Sequence, residues 1–297
     1  MLCETEGSRI PLFLQYWWME AVCHGKRWDV ALAYDDGHRV IGALPYLWGK
    51  KMGLRYVVQP QLTQYNGPWY ASEAWRRQAD LQFRDHLKSL RLALYQQNFS
   101  PRLSEVADWP GYTVARRVTY RIEDISDPQR VFEDFDKSRR QRQIRRAEKV
   151  LAPDAGITPS QFAQFHTRYW QTRGQKDLLS VDFMIRVIET SLQRSQGILI
   201  GVRDGEGVLQ GARFVAFDEN CGYALLSALH PRHPNGTSAL LFWLILQQLS
   251  GRCKSFDFEG SMDRNIAFSY SLYGAKPSPY VQLTRYCHPL IGKVLKI

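Results

Sequence analysis

The sequence has no paired cysteines. Its five cysteines, Cys3, Cys23, Cys221, Cys253 and Cys287, are scattered over 297 residues, without a C-x-x-C pair or a zinc-ribbon spacing. An odd number without a pattern argues against a disulfide framework and against a structural zinc site. We therefore expect reduced thiols in a cytoplasmic protein.

Long hydrophobic runs are also missing. The longest, ALLFWLIL from Ala239, has eight residues, whereas a helix needs roughly 20 to cross a bilayer. The N-terminal stretch MLCETEGSRIPLFLQYWW has no basic leader before an apolar core. The sequence thus predicts neither a membrane span nor a signal peptide.

Acidic residues are scarce relative to basic ones, 29 against 39, which gives a formal net charge of +10. Such a surplus favours anionic partners, namely nucleic acid, phosphate-bearing cofactors or anionic lipid headgroups, and does not choose among them. The hydrophobic share of 44% suffices for one large core or two modest ones. The chain length favours two domains.

The N-terminal half alternates strand and helix signals. A short amphipathic helix is predicted from Leu12 to His24, and two apolar runs around Asp36-Gly37 predict a β-hairpin. LRYVVQP continues as a strand, Glu73 to Asn98 is predicted to be one long helix, and TVARRVTYRIE from Thr113 is again a strand. This alternation predicts an α/β fold.

A second hairpin repeats the first. In GILIGVRDGEGVLQGARFVAF, Asp204-Gly205 matches Asp36-Gly37, and Gly211-Ala212 matches Gly42-Ala43 with one residue inserted. A period near 168 residues predicts a duplicated α/β unit. Chance similarity between two hairpins is the alternative.

A strongly basic helix follows Asp127-Pro128, a pair that suits a helix start. Ser138 and Gln141 have the spacing of a capping box, so a new helix is predicted to begin at Ser138. Its surface carries Arg139, Arg140, Arg142, Arg145, Arg146 and Lys149. Arginine suits bidentate phosphate contacts. Phosphate, carrier or nucleic-acid contact is one interpretation, and a solvated helix face is the other.

A loop that ends in Asn235, Gly236, Thr237 and Ser238 leads into the apolar helix. Unpaired amides and the helix dipole bind anions at such a start, and Arg232 would add a full charge. The alternative is a capped helix start without a ligand. The nearby His230 and His233 have no carboxylate or cysteine beside them in sequence, so no metal site is expected.

Two acids mark the end of a strand in FDFEGSMDRN. Alternation places Asp257 and Glu259 on one face of the strand, and Gly260 ends it. Asp263 is predicted to cap a helix that Gly274 stops. This helix presents on one side Ile266, Tyr270 and Tyr273. A carboxylate pair at this place favours catalysis, while a capped turn with solvated acids is the alternative.

The order of these motifs resembles the GNAT acyltransferase superfamily, and more closely its tandem branch of Fem-type and FemAB-like acyltransferases. The residues that carry the resemblance are SRRQRQIRRAEK, the RDGEGVLQGA hairpin, FDFEGSMDRNIAFSYSLYGAK, LPY from Leu44 and Tyr65-Asn66-Gly67. The implied fold class is α/β (α+β), with two tandem GNAT-like domains, each a mixed twisted sheet flanked by helices. The implied domains are residues 1–125 and 126–297, the second with the basic helix 138–150, and substrate would bind in the cleft between them.

The resemblance implies an N-acyltransferase that works by direct attack of the acceptor, without a covalent enzyme intermediate. The co-substrate would be acyl-CoA or aminoacyl-tRNA, with no tightly bound cofactor, and the acceptor an amine or hydroxyl of a lipid-linked or polysaccharide precursor of the cell envelope. The GNAT phosphate loop, R/Q-x-x-G-x-G/A, is matched incompletely: one register gives His233, Gly236 and Ser238, and another begins at Arg232. Both donors therefore stay open.

Direct attack requires a base for the acceptor and an acid for the leaving group. Asp257 and Glu259 are the candidate bases, and the candidate acids or acceptor contacts are Tyr65, Tyr270 and Tyr273. A rival hypothesis is a non-catalytic RNA-binding protein that uses the basic helix. A third is a scaffold that kept the fold and lost the chemistry.

Overall fold

A computed structural model describes residue 3 and residues 6–103, 109–260 and 262–287. Ser261, part of the acidic motif, and most of the first five residues, on which the leader prediction partly depends, lie outside these ranges. The chain forms two compact units, Met1–Val118 with Pro279–Ile297, and Thr119–Ser278. The return of the C-terminal segment to the first unit was not foreseen in the sequence. It follows from strand pairing, because Val281 to Tyr286 pair with Phe99 to Leu94.

The first unit is a mixed sheet with one long helix. The elements are helix α1 (Tyr16–Cys23), strands β1 (Arg27–Tyr34), β2 (Val40–Lys51), β3 (Leu54–Val58) and β4 (Trp69–Tyr70), helix α2 (Arg76–Ser89), strand β5 (Leu94–Phe99), the first part of β6 (Thr113–Ile122) and most of β12 (Lys276–Tyr286). The sheet order is β1-β2-β3-β5-β12-β6, and β4 pairs with β2. Short 3₁₀ turns lie at Gly7–Arg9, Leu12–Leu14, Glu73–Trp75 and Pro101–Leu103.

The predicted long helix from Glu73 to Asn98 is wrong in its second half. Helix α2 ends at Ser89, and Arg91 adopts a left-handed φ of 52°, which breaks the helical path. LYQQNF then forms strand β5, parallel to β3. The buried Tyr95 and Gln97 lie inside the sheet there. Tertiary burial overrides the helical propensity of the leucines and glutamines.

The second unit repeats this plan. It contains the end of β6, helix α3 (Pro128–Glu133), a π-helical turn (Lys137–Gln141), helices α4 (Arg142–Ala147), α5 (Pro159–Thr172) and α6 (Val181–Gln193), strands β7 (Ala152–Asp154), β8 (Gly197–Arg203), β9 (Leu209–Phe217) and β10 (Cys221–Leu229), helix α7 (Thr237–Leu249), strand β11 (Ser255–Asp257) and helix α8 (Arg264–Ser271). The sheet order is β6-β11-β10-β9-β8-β7. In each unit an antiparallel meander is followed by a helix and by a parallel strand, β3 with β5 and β10 with β11.

The two hairpins correspond even more closely than the sequence match suggested. The Asp35 carboxylate accepts the amides of Gly37 and Arg39, and the Asp204 carboxylate accepts those of Glu206 and Val208. Asp35, and not Asp36, is therefore the counterpart of Asp204. With this alignment Gly42 and Gly211 each follow their aspartate by seven residues, and the inserted residue disappears.

Each unit has its own core. Phe83 and Leu87 of α2 pack with Tyr46, Val57 and Tyr95 in the first unit. In the second unit, the apolar helix α7 lies in a core that includes Phe242, Phe256 and Phe258. Each fully buried aromatic or leucine side chain stabilises the fold by about 1.5–3 kcal/mol. The sheet and α7 thus form a rigid base for the polar groups at the strand ends.

Candidate active site

Strands β10 and β11 pair for only a short distance. The parallel register joins Cys221, Gly222 and Tyr223 to Ser255, Phe256 and Asp257. Beyond this point β10 continues from Ala224 to Leu229, whereas β11 has ended. In the described part of the chain no strand pairs with this side of β10 beyond Tyr223.

Asp257 occupies the end of β11 and holds the following turn. Its side chain is fully buried. The Thr119 hydroxyl donates to Asp257 Oδ1 at 2.5 Å, and the amide of Glu259 donates to the same oxygen at 2.7 Å. These bonds give Asp257 the geometry of a positioning residue, since its oxygen fixes the backbone that carries Glu259.

Glu259 lies two residues beyond the strand, in a strained conformation. Its φ is 59° and that of Gly260 is 62°, and a left-handed φ is uncommon for a glutamate. Glu259 Oε1 is buried and accepts no hydrogen bond from a described residue. Burial, with the Asp257 charge as a second cause, raises the pKa of Glu259 well above its ordinary value. A carboxyl with these properties is suited to general base catalysis.

Phe256 and Phe258 point into the core, as the alternation predicted. Both rings contact Phe242 of α7, at centroid distances of 5.0 and 4.8 Å. Tyr270 stacks on Phe258 at 4.6 Å. The predicted Asp263 cap and the Gly274 stop are also present, because Asp263 Oδ1 accepts the amides of Asn265 and Ile266 and Gly274 has a φ of 76°. Ile266, in contrast, is exposed and does not belong to the buried side of the helix.

Tyr273 is a core residue. It is 5% exposed and packs on Phe135 and Phe242, and burial raises its pKa. Tyr270 is only partly buried, and burial raises its pKa although Arg213 opposes this shift. Of the two, Tyr270 is therefore the more accessible phenol. Tyr65 belongs to the first unit, where it packs against Phe13 and Tyr280.

The loop before α7 is braced against the basic helix. Gly236 has a φ of 101°, and a Cβ there would lie 2.3 Å from the Gln143 carbonyl oxygen. The Gln143 amide nitrogen also donates to Asn235 Oδ1 at 3.1 Å. Thr237 is buried and its hydroxyl donates to the Pro234 carbonyl, so it closes the turn. Arg232 is exposed, and the first turn of α7 contains no acid.

Arg213 is a functional candidate that the sequence reasoning missed. Its Nη2 donates to the Ser238 hydroxyl at 3.2 Å, beside the start of α7. Its Nε is buried without a partner, and no described acid forms an ion pair with it. Burial lowers the pKa of this guanidinium, opposed by Tyr273 and Tyr270. The sequence does contain a signal for a partly buried arginine. Period-two alternation puts Arg213 on the same face of the strand as Gly211, Val215 and Phe217.

The basic helix divides into engaged and open cations. Arg140 lies 4.5 Å over the Tyr273 ring and donates to Ser269, Arg139 lies over Phe268, and Arg145 lies over Phe132. Arg142, Arg146 and Lys149 are exposed and form no ion pair with a described acid. Half of the predicted anion-binding set thus serves packing, and the other half is available.

The predicted capping box at Ser138 is wrong. Asp136 caps the turn, since its Oδ1 accepts the Arg139 amide and the Ser138 hydroxyl. Gln141 is buried, and its amide nitrogen donates to the carbonyls of Phe132 and Phe135. An aspartate two residues earlier competes better for the cap because its charge makes the hydrogen bonds stronger. On the opposite side from the exposed cations, Ile144, Ala147 and Leu151 are buried.

No metal centre or membrane helix emerges from the described residues. They contain no group of three or more His, Cys, Asp or Glu side chains placed to hold a metal ion. None of their helices has the length and apolar character to cross a membrane.

Neither protein-family models nor curated proteins match this chain. Solved structures do match it. FemX aligns with a TM-score of 0.70 at 10% identity, over 98% of this chain and 96% of that one. The C-terminal domain of a putative lysylphosphatidylglycerol synthetase from Agrobacterium fabrum aligns at 0.58 and 12% identity, over 90% of each chain.

A tandem GNAT protein from the clavulanic acid biosynthesis pathway aligns with a TM-score of 0.50 at 14% identity, over 86% of this chain and 82% of that one. The predicted fold, two tandem GNAT-like domains, is thereby confirmed. At these identities the likeness establishes the fold and leaves activity to be argued from the site.

Proposed function

We propose that the protein is an acyltransferase that moves an acyl or aminoacyl group from a phosphate-bearing donor to an amine or hydroxyl, by direct attack. The observation that carries the proposal is the Glu259 carboxyl, whose Oε1 is buried and accepts no hydrogen bond from a described residue, and whose raised pKa suits a base. It follows β11 directly, where β10 has lost its strand partner. Proteins with this fold include a FemX and a putative lysylphosphatidylglycerol synthetase.

Glu259 takes the proton of the attacking acceptor, and Asp257 holds the turn that aims it. The leaving group, a thiolate or an alkoxide, takes a proton from Tyr270 or from water. This assignment moves the acid role from Tyr273 and Tyr65 to Tyr270, because Tyr273 is buried in an aromatic cluster and Tyr65 packs within the first unit. A positioned base contributes typically 10²–10⁴-fold to the rate.

The donor phosphates lie at the start of α7 and along α4. The first turn of α7 has no acid of its own, Arg213 supplies a partly buried charge beside Ser238, and Arg142, Arg146 and Lys149 form no ion pair with a described acid. Gly236 of the loop lies against Gln143 of α4, so we assign these cations to one anion-binding subsite. Acyl-CoA and charged tRNA both carry the required phosphates. The acceptor is a cell-envelope or polysaccharide precursor, and the cytoplasm is the compartment that supplies both donors.

A non-catalytic RNA-binding protein is the alternative. Three of the six cations predicted to lie on the surface of the basic helix contact aromatic rings, which weakens a role for this helix as an RNA-binding face. Thermal shifts with acetyl-CoA, longer acyl-CoAs and charged tRNA distinguish the two, since a ligand of the native state raises Tm. An acyl-CoA that raises Tm favours the enzyme.

The decisive experiment measures the rate of acyl transfer from whichever donor raises Tm. Glu259→Gln is expected to lower kcat by about 10²–10⁴ and to leave donor Kd within about threefold. Glu219→Gln, an exposed glutamate of the same unit, is the control and is expected to retain full activity. No transfer by the wild type with any donor, or an active Glu259→Gln, contradicts the proposal.

A further inference from the structure

The first unit contains a cavity that the proposed chemistry does not use. It has a volume of about 810 Å³ and is lined by five cationic side chains, Lys50, Arg55, Lys88, Arg91 and Arg285. We call this the cationic groove. None of the described residues that line it is acidic.

Two of these charges directly oppose each other. Lys50 on β2 and Arg55 on β3 are cross-strand partners in the hairpin register. Like charges in this position destabilise a sheet. An anion bound between them removes the repulsion, and an opposed pair of cations is therefore the feature expected of an anion site.

The fold accounts for only part of the remaining charge. Lys88 pairs with Asp85 at 2.9 Å and lies in the last turn of α2, where the helix dipole favours a cation. Arg285 lies over the Tyr112 ring. Arg55 reaches only one backbone carbonyl, that of Leu90, at 3.5 Å. Lys50 and Arg91 are exposed and pair with no described acid. Arg91 is nevertheless placed by the backbone, with its φ of 52° at the end of α2.

We propose that the cationic groove binds the phosphodiester backbone of a single-stranded nucleic acid. Its volume exceeds what one phosphate needs, and its cations come from β2, β3, β12 and the end of α2, so they surround a concave site. None of the described residues that line it is aromatic, so recognition is of phosphates and independent of sequence. The proposal does not depend on acyl transfer. Met52, in the turn between β2 and β3, is 79% exposed. An anionic membrane is therefore the competing partner that the test must distinguish.

The test compares two matched triple variants of the full chain by fluorescence anisotropy with a labelled 16-nucleotide oligouridylate. Lys50→Gln, Arg55→Gln and Arg91→Gln remove groove charges. Lys26→Gln, Arg77→Gln and Arg116→Gln remove the same charge from exposed positions of the first unit. The groove variant is expected to bind at least tenfold more weakly, and its slope of log affinity against log salt to fall by up to about 2, roughly 0.7 for each lost phosphate contact. The control is expected to stay within about threefold.

Folding is checked by Tm, which is expected to be unchanged or higher in the groove variant because the Lys50–Arg55 repulsion is relieved. Equal losses in the two variants, or no binding of oligouridylate by the wild type at 100 mM salt, overturn the proposal. So does groove-dependent binding to phosphatidylglycerol vesicles without binding to the oligonucleotide, which assigns the surface to a membrane. Equal affinity for oligouridylate and for an oligonucleotide of mixed sequence supports recognition of the backbone.

Discussion

At the scale of single residues, sequence pattern located the acids better than the cations. Glu259 and Asp257 were predicted together, and the structure joins them through the hydrogen bond from the Glu259 amide to Asp257 Oδ1. Such a bond depends on the left-handed turn at 259–260, which no pattern specifies. Arg213 was missed because it stands in an apolar strand whose other residues fit a simple core.

Glu259 gives a pH dependence with a definite sign. Its pKa is raised in the folded protein by burial and by Asp257. Stability is therefore fully present below the unfolded pKa and is lost as pH rises through the folded pKa, while activity rises over the same range because the base is needed deprotonated. We expect the wild type to lose Tm with rising pH relative to Glu259→Gln. Parallel curves of Tm against pH for the two proteins from pH 5 to 9 would refute this.

Arg213 is expected to act on the donor. Arg213→Gln removes a partly buried charge that forms no ion pair with a described acid, so stability should be unchanged or higher. Donor KM should rise about tenfold, with kcat changed less than threefold. Arg213→Lys keeps the charge but not the planar fork and should lie between the two. Steady-state kinetics with varied donor measure the split. A fall in kcat alone would assign Arg213 to the chemical step.

Gly236 is required by both space and conformation. An alanine Cβ would lie 2.3 Å from a backbone oxygen at a φ of 101°. We expect Gly236→Ala to cost about 2–4 kcal/mol of unfolding free energy. Gly205→Ala is the control, because nothing lies within 4 Å of its Cβ position. Denaturant titration measures the difference, and equal midpoints would disprove the contact.

At the scale of elements, the helix starts at Asp127 and Asp263 and the two hairpins were predictable, whereas the cap at Asp136 and the strand after α2 were not. Asp127, Asp263 and the apolar run of α7 give local signals that tertiary contacts do not change. Strand β5 depends on pairing with β3 and with the distant β12. Information about partners so far away in sequence is absent from a local window.

Arg140 joins the π-helical turn to α8. Its guanidinium donates to the Ser269 carbonyl at 3.0 Å, to the Ser269 hydroxyl at 2.6 Å and to Gln143 Oε1 at 2.9 Å. Arg140→Gln should therefore cost about 2–3 kcal/mol, given charged hydrogen bonds and a cation–π contact. Arg142→Gln, on the exposed side of the same helix, should stay within about 0.5 kcal/mol. Equal destabilisation of the two in urea would argue against the division into engaged and open cations.

At the scale of the whole molecule, duplication was predictable because glycine and aspartate mark the same two points in both units. Gly42 permits Phe83 and Ala79 of α2 to approach β2, and Gly211 permits Thr237 and Leu241 of α7 to approach β9. The sequence of β12 predicts a strand but does not specify which unit that strand joins. The assignment of Pro279 onward to the first unit could therefore not be predicted.

The two copies differ at the start of their helices, and this difference predicts where a donor binds. Immediately before α2, Glu73 places a carboxylate in the 3₁₀ turn Glu73–Trp75 and pairs with Arg76. Before α7 there is no acid, and Arg213 lies close. Hydrogen exchange with a bound donor should therefore show protection at 237–240 and 259–260 and no change at 76–80. Protection confined to the first unit would move the donor site away from Glu259 and remove the basis for assigning it as the base.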